Sequence, residues 1–209
     1  MNANPFSTRF TRPGAIEFSS DLVQSHRLVE TLAKATGRSN TFQIVGPHGC
    51  GKTTLTIAIA SQLAQQGTET LWLTIRGNSK PDQVRFDRYL SCLDANENPD
   101  VLVIDGIESV NAFQRNCILR EVGKHAWRVI LTTHRALWRI PVLTTLSPSL
   151  EVFEDLCSRL ICSDLANWNK EDWRPRIETA YGNANGDFRE AFFELYDQYE
   201  LCVDVKQVD

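Results

Sequence analysis

The 209-residue chain has no pair of cysteines at C-x-x-C spacing, no long apolar run, no internal repeat, no low-complexity tract and no excess of basic residues. Each absence removes a class of protein. Its six cysteines, at positions 50, 92, 117, 157, 162 and 202, stand alone within apparent helices, the usage of reduced buried thiols rather than of zinc ligands or a disulfide framework. A membrane span needs about 20 consecutive apolar residues, and residues Met1 to Phe10 lack the basic-then-apolar order of a secretory leader. The expectation is a cytoplasmic protein without membrane contact. A formal charge of −4 and a pI near 5.6 weigh against a broad basic surface, so nucleic-acid binding by the whole molecule is disfavoured and only a local basic face is left open. What is there, 42% hydrophobic and 23% charged residues, suits one full core with a small appendage.

Against that ordinary background one octapeptide stands out. Gly46-Pro47-His48-Gly49-Cys50-Gly51-Lys52-Thr53 fits G-x-x-x-x-G-K-[ST], the loop in which backbone N–H groups, a lysine and a hydroxyl converge on a nucleotide's phosphates. The context agrees with the motif. Thr41 to Val45 is a short β-rich run feeding into the glycines, and Lys52 to Gln66 is a helical run with Leu55, Ile59 and Leu63 four apart. Gly46, Gly49 and Gly51 let the chain wrap phosphates with no Cβ in the way, and the following helix brings its positive dipole end to bear. Lys52 supplies an ammonium to the β- and γ-phosphates, and the Thr53 hydroxyl, with Thr54 beside it, is placed for Mg²⁺. His48 and Cys50 fill variable positions of the loop.

Around the motif, strands and helices alternate. Thr70 to Ile75, Val101 to Asp105, Arg128 to Thr133 and Val142 to Leu146 read as strands, and Lys80 to Leu93 and Val110 to Lys124 as helices. Strands that are apolar almost throughout, separated by helices, imply a parallel sheet covered on both faces. Residues 1 to 20, with Pro5, Pro13 and Gly14 among Phe6, Phe10, Ile16 and Phe18, suggest an extended arm. Asp21 is a cap for a helix to about Ala35, with Gly37 as its stop. Beyond Ser147 only helices follow: one starting at Ser147-Pro148, one near Asp172 with Pro175 in its first turn, and one capped by Asp187 with Glu190 three residues on. The expected organisation is an arm and helix over residues 1–40, an α/β core over 41–147 and a small all-helical lid over 148–209.

Val101-Leu102-Val103-Ile104-Asp105 has the form of a Walker B strand, whose terminal carboxylate emerges at the ligand-binding edge of the sheet and completes a metal site with Thr53. With both motifs in hand, the chain resembles the P-loop NTPase superfamily, in its branch with an additional strand between the Walker strands, which includes AAA+, STAND and RecA-like ATPases. The resemblance covers Thr41 to Leu146 well and the lid loosely. It implies a three-layer P-loop core binding ATP and Mg²⁺ through residues 46–54 and Asp105. It also implies Thr132 or Thr133 as the sensor 1 residue, Arg189 in Gly186-Asp187-Phe188-Arg189-Glu190-Ala191 as the sensor 2 arginine, and self-association or a protein partner. There is one departure. The glutamate that usually follows the Walker B aspartate and positions the attacking water is here Gly106, and Glu108, three residues beyond the aspartate, is the nearest substitute. Slow hydrolysis is the expectation, because P-loop catalysis is mostly positioning and charge stabilisation.

Three functions compete. The first is an ATP-binding, weakly hydrolytic module coupling nucleotide state to lid position or partner binding. The second is a P-loop kinase for a small molecule, with Arg135 and Arg139 as candidate lid arginines. The third is a nucleic-acid-associated ATPase of the helicase-loader or transposition-helper sort, with Arg115, Arg120, Lys124 and Arg128 as a basic strip and Trp127, Trp138, Trp168 and Trp173 as candidate stacking platforms.

Overall fold

A computed structural model of the chain describes residues 4–16, 27–32, 40–75, 91, 99–125, 127–164 and 170–206. The cap at Asp21, the stop at Gly37, most of the Lys80–Leu93 helix and Trp168 lie outside the described residues. Two compact units emerge, one made of Ser20–Gly46 with Lys52–Thr145 and one of Met1–Ser19, Pro47–Gly51 and Leu146–Asp209.

Among the described residues the first unit is built on five strands, β1 (Thr41–Val45), β2 (Thr70–Thr74), β3 (Val101–Asp105), β4 (Arg128–Thr133) and β5 (Val142–Thr145). They lie in the order β2-β3-β4-β1-β5 and every pairing is parallel. Alternation along the strands explains the layers. Leu102, Ile104, Val129 and Leu131 are fully buried on one face with Ile118 and Val122 of helix α3 (Ala112–Val122), while Val101, Val103 and Ile130, which point the other way, are equally buried. Each side chain of this size removed from water contributes roughly 1.5–3 kcal/mol. Helix α2 (Lys52–Gln65) follows the loop after β1 and buries Leu55, Ile59 and Leu63. It ends at Gly67, whose φ of +76° lets Thr68 N–H reach Leu63 O at 3.0 Å and Gly67 N–H reach Ala64 O at 3.0 Å.

The strand order positions the site. From β1 the chain crosses to β2 at the far edge, whereas from β4 it crosses past β1 to β5, so the direction of travel reverses between the neighbours β1 and β4. Crevices at such reversals, outside the carboxyl ends of the strands, are where open α/β sheets take ligands.

The second unit is helical: α1 (Thr8–Thr11), α4 (Leu150–Asp164), α5 (Lys170–Asn183) and α6 (Phe188–Lys206). Phe6, Phe153, Trp173, Phe188 and Phe192 form its aromatic centre, with Phe153 stacked on Phe188 at 5.3 Å between ring centroids. Residues 8–11, expected to be extended, make a single helical turn. Its entry is fixed by Asn4, which accepts from Phe6 N–H at 3.0 Å and donates to Tyr196 O at 3.0 Å and Glu200 Oε1 at 2.7 Å. Local propensity therefore yields to an anchor nearly two hundred residues away in sequence. Helix α4 begins at Leu150, and Ser149 Oγ accepts from Val152 N–H at 3.3 Å, so Ser149 and not Ser147 is its cap.

Candidate functional site

The connection between β1 and α2 carries the glycine-rich octapeptide. Gly46 continues the sheet, its N–H donating to Thr133 O at 3.1 Å. Gly49 and Gly51 adopt φ of +67° and +92°, conformations that side-chain-bearing residues rarely take. Lys52 is buried, and its Nζ donates to Gly46 O at 2.8 Å. Thr53 follows on the first turn of α2.

The Thr53 hydroxyl meets the end of β3. Thr53 Oγ1 lies 3.1 Å from Asp105 Oδ2 and 3.3 Å from Oδ1. Thr132, on the adjoining strand, donates to Asp105 Oδ1 at 2.6 Å and accepts from Gly106 N–H at 2.9 Å. A hydroxyl has one proton to give, so accepting from Gly106 fixes the direction in which Thr132 donates and thereby the plane of the carboxylate. Asp105 is thus held in place by a neighbour and turned toward Thr53. The donors brought together are two hard oxygens, the set a magnesium ion takes when it also leans on phosphate and water. Among the described residues no three His, Cys, Asp or Glu side chains gather as a metal cluster.

The two threonines ending β4 divide their work by strand parity. Thr132 faces Asp105, whereas Thr133 points to the opposite side of the sheet and donates to Gln43 Oε1 at 3.4 Å. Of the pair offered by the sequence, Thr132 is the one the structure brings to the carboxylate, and Thr133 is engaged elsewhere. Gly106 has φ of +85°, and a Cβ there would come within 2.5 Å of Ile75 O. A side chain at this position, a glutamate included, would strain the backbone and require Ile75 to shift. Glu108 sits on the short 3₁₀ turn Ile107–Ser109, with Oε1 2.9 Å from His134 Nε2. Its Oε2 is buried and has no hydrogen-bond partner among the described residues. His134 was not singled out by sequence reasoning; twenty-six positions away, nothing local marks it.

Within the helical unit the middle of the loop meets the start of α6. Asp187 Oδ1 accepts from Arg189 N–H at 2.9 Å and Glu190 N–H at 3.3 Å, capping the helix, and Asp187 Oδ2 lies 3.2 Å from His48 Nδ1. A Cβ on Gly49 would run into the same carboxylate. Asp187 N–H donates to Ala184 O at 3.0 Å. Arg189 is exposed, its guanidinium 5.7 Å from the centre of the Phe193 ring. Cys50 is buried.

A parallel sheet in this order, with the glycine-rich sequence directly following β1 and an acid at the end of β3, is the fold of P-loop NTPases of the AAA+ type. Solved structures that share it include the following three. The AMPPCP-bound DnaA of Aquifex aeolicus is 13% identical with a TM-score of 0.57, covering 94% of this chain and 65% of its own length. Cdc6p of Pyrobaculum aerophilum is 11% identical with a TM-score of 0.64, covering 99% and 66%. Domain III of the Thermotoga maritima replication initiation protein DnaA is 16% identical with a TM-score of 0.51, covering 94% and 98%. The chain thus spans about two thirds of the first two and nearly all of the third. At such identities the likeness is one of fold. No protein-family model matches the chain, and no curated protein matches it in sequence. Among the described residues no helix is long and apolar enough to cross a membrane.

Proposed function

We propose that the chain binds Mg-ATP through residues 46–54 and Asp105, hydrolyses it slowly, and couples nucleotide state to the helices of residues 148–209 or to a partner. The observation that carries this reading is the approach of Thr53 Oγ1 to Asp105 Oδ2 at 3.1 Å, directly after a loop whose glycines and lysine match a phosphate cradle. Lys52 would then exchange its bond to Gly46 O for phosphate oxygens, and the N-terminal amides of α2 would add the helix's positive end. A magnesium ion between Thr53 and Asp105 would supply a positive charge shared with those oxygens. That a protein of the same fold was solved with AMPPCP supports the choice of nucleotide.

Slow turnover is supported by Gly106, which stands where a glutamate would follow Asp105 and whose left-handed backbone and close approach to Ile75 O disfavour a side chain. Glu108 is the acid we assign to the attacking water, with its unpartnered Oε2 as the acceptor and His134 holding its other oxygen. Arg189 as a γ-phosphate contact and Thr133 as a sensor are weaker members of the set, since the first is exposed and the second is bonded to Gln43. Coupling is supported by Asp187, which serves the loop residue His48 and the first turn of α6 at once.

Calorimetric titration of ATP in the presence of magnesium tests the site. Lys52→Ala is expected to abolish measurable binding and Asp105→Asn to remove the magnesium dependence; ATP affinity unchanged in Lys52→Ala removes the proposal.

A further inference from the structure

The connection between β4 and β5, residues 134–141, is held with more care than its length requires. Gln43 lies in the middle of β1, fully buried, where an apolar side chain would serve the sheet better. All of its amide is spent on this connection and the strand before it. Nε2 donates to Leu137 O at 3.0 Å and Ile140 O at 2.6 Å, while Oε1 accepts from Leu137 N–H at 2.8 Å and Thr133 Oγ1 at 3.4 Å. Two donors and two acceptors are the whole capacity of an amide side chain. Leu137 and Ile140 pack against the core, and Ile140 N–H returns to Leu137 O at 3.4 Å, so residues 137 to 140 close a turn.

The two residues at the tip of that turn are Trp138 and Arg139. Trp138 is 80% exposed, the most solvent-facing large apolar side chain among the described residues. Arg139 has φ of +64°, in the place where a turn of this kind favours glycine or asparagine. Its guanidinium lies 3.9 Å from the centre of the Trp138 ring, covering one face and leaving the other to solvent. Arg135, earlier in the connection, is also exposed. From His134 to Thr145 there is no acid, in a chain whose formal charge is −4. The turn thus displays an exposed aromatic ring with one guanidinium group over it and a second arginine three positions before it in sequence, in a stretch whose charge is opposite in sign to that of the molecule.

We propose that this turn is a stacking platform for single-stranded nucleic acid, an unpaired base lying on the open face of Trp138 and backbone phosphates meeting Arg135 and Arg139. The partner follows from the chemistry. Stacking on an aromatic ring is available to every base that is not already paired, and guanidinium groups beside the ring supply the phosphate contacts that such sites use. The bonds from Gln43 to Leu137 and Ile140 hold the backbone of the turn before any partner arrives, which lowers the ordering cost of binding. The platform is independent of the nucleotide reading, since none of its residues belongs to the phosphate loop or to the Thr53–Asp105 pair.

The test is fluorescence anisotropy of the full chain with a labelled oligothymidine of about 20 nucleotides, longer than one such site requires, at about 50 and about 200 mM salt. The wild type is expected to bind at the lower salt, and Trp138→Ala to bind between about fivefold and about a hundredfold more weakly, the range found for loss of one stacked base. Trp138→Phe should recover most of the loss. Arg135→Ala should reduce the slope of log affinity against log salt by about 0.7, the share of one phosphate contact in a single strand. Because Trp138 is exposed, its removal leaves the fold intact, and circular dichroism of the variant checks this. Absence of binding by the wild type at low salt, or equal affinities for wild type and Trp138→Ala, overturns the proposal. Sedimentation showing that Trp138 holds two copies of the chain together without oligonucleotide overturns it in favour of a protein interface.

Discussion

Gly106 and Gly67 offer a controlled comparison of what a side chain costs in two left-handed positions. Both have strongly positive φ, +85° and +76°, so alanine at either pays the same backbone strain. That strain is about 1–2 kcal/mol, partly offset by about 0.4–1 kcal/mol from the stiffer unfolded chain. Around Gly67 a Cβ meets nothing within 4 Å, whereas at Gly106 it would lie 2.5 Å from Ile75 O. Ile75 cannot retreat freely, because its own N–H is bonded to Asp105 O at 2.8 Å. Overpacking against such a fixed neighbour costs typically 1–3 kcal/mol. Gly67→Ala is therefore expected to lose about 1 kcal/mol, the strain net of that offset, and Gly106→Ala about 2–4 kcal/mol, the same net strain plus the overpacking. Urea unfolding followed by far-UV circular dichroism measures both. Equal losses in the two variants would refute the steric argument. The same clash means that Gly106→Glu, although it places an acid directly after Asp105, should raise no ATP turnover; a faster enzyme would show that the backbone accommodates what its geometry forbids.

Other outcomes follow from the same contacts. Glu108→Gln and His134→Ala should each lower steady-state ATP turnover while leaving nucleotide affinity unchanged, and turnover untouched in Glu108→Gln removes its assignment as base. Asp187→Ala strips the cap from α6 and should reduce stability by about 1 kcal/mol, read as a shift in the urea midpoint; no shift would mean that water replaces the carboxylate without loss. Burial, with Glu154 adding to it, raises the Cys157 thiol well above its ordinary value of 9.0. Its folded form therefore keeps a proton that the unfolded chain releases, so the contribution is whole below pH 9.0 and declines as pH climbs toward the folded value. The urea midpoint should fall between about pH 8 and about pH 10 less steeply in Cys157→Ala than in the parent chain, and identical slopes would rule this thiol out as the cause.

Much of the α/β architecture was legible because its signals are local. Val101 to Ile104 and Val129 to Leu131 are runs that only a sheet covered on both faces can bury, and the glycine-rich octapeptide announces its own geometry. The spatial order of the strands was not legible, since apolar alternation says that a strand is buried without saying beside what. Nor could sequence alone choose between Thr132 and Thr133, because which face each takes depends on strand register. Asn111 with Gln114 closes a reciprocal cap on α3 that the pattern contains, yet the apolar Val110 invited an earlier start. The turn at Thr8–Thr11 escaped for the opposite reason: its determinant, Asn4, acts through Tyr196 and Glu200. Gln43 passed within the β-rich run Thr41 to Val45 without a role of its own, and only its bonds to residues 137 and 140 explain the buried amide.

The shared carboxylate of Asp187 makes the opening turn of α6 an indicator of events in the loop. His48 and the amides of Arg189 and Glu190 draw on one acidic group, so an anion arriving near the loop competes electrostatically with the acid that pins the helix. Deuterium uptake at those two amides would then rise or fall with ligand occupancy, converting a chemical event at the glycines into fraying that can be timed.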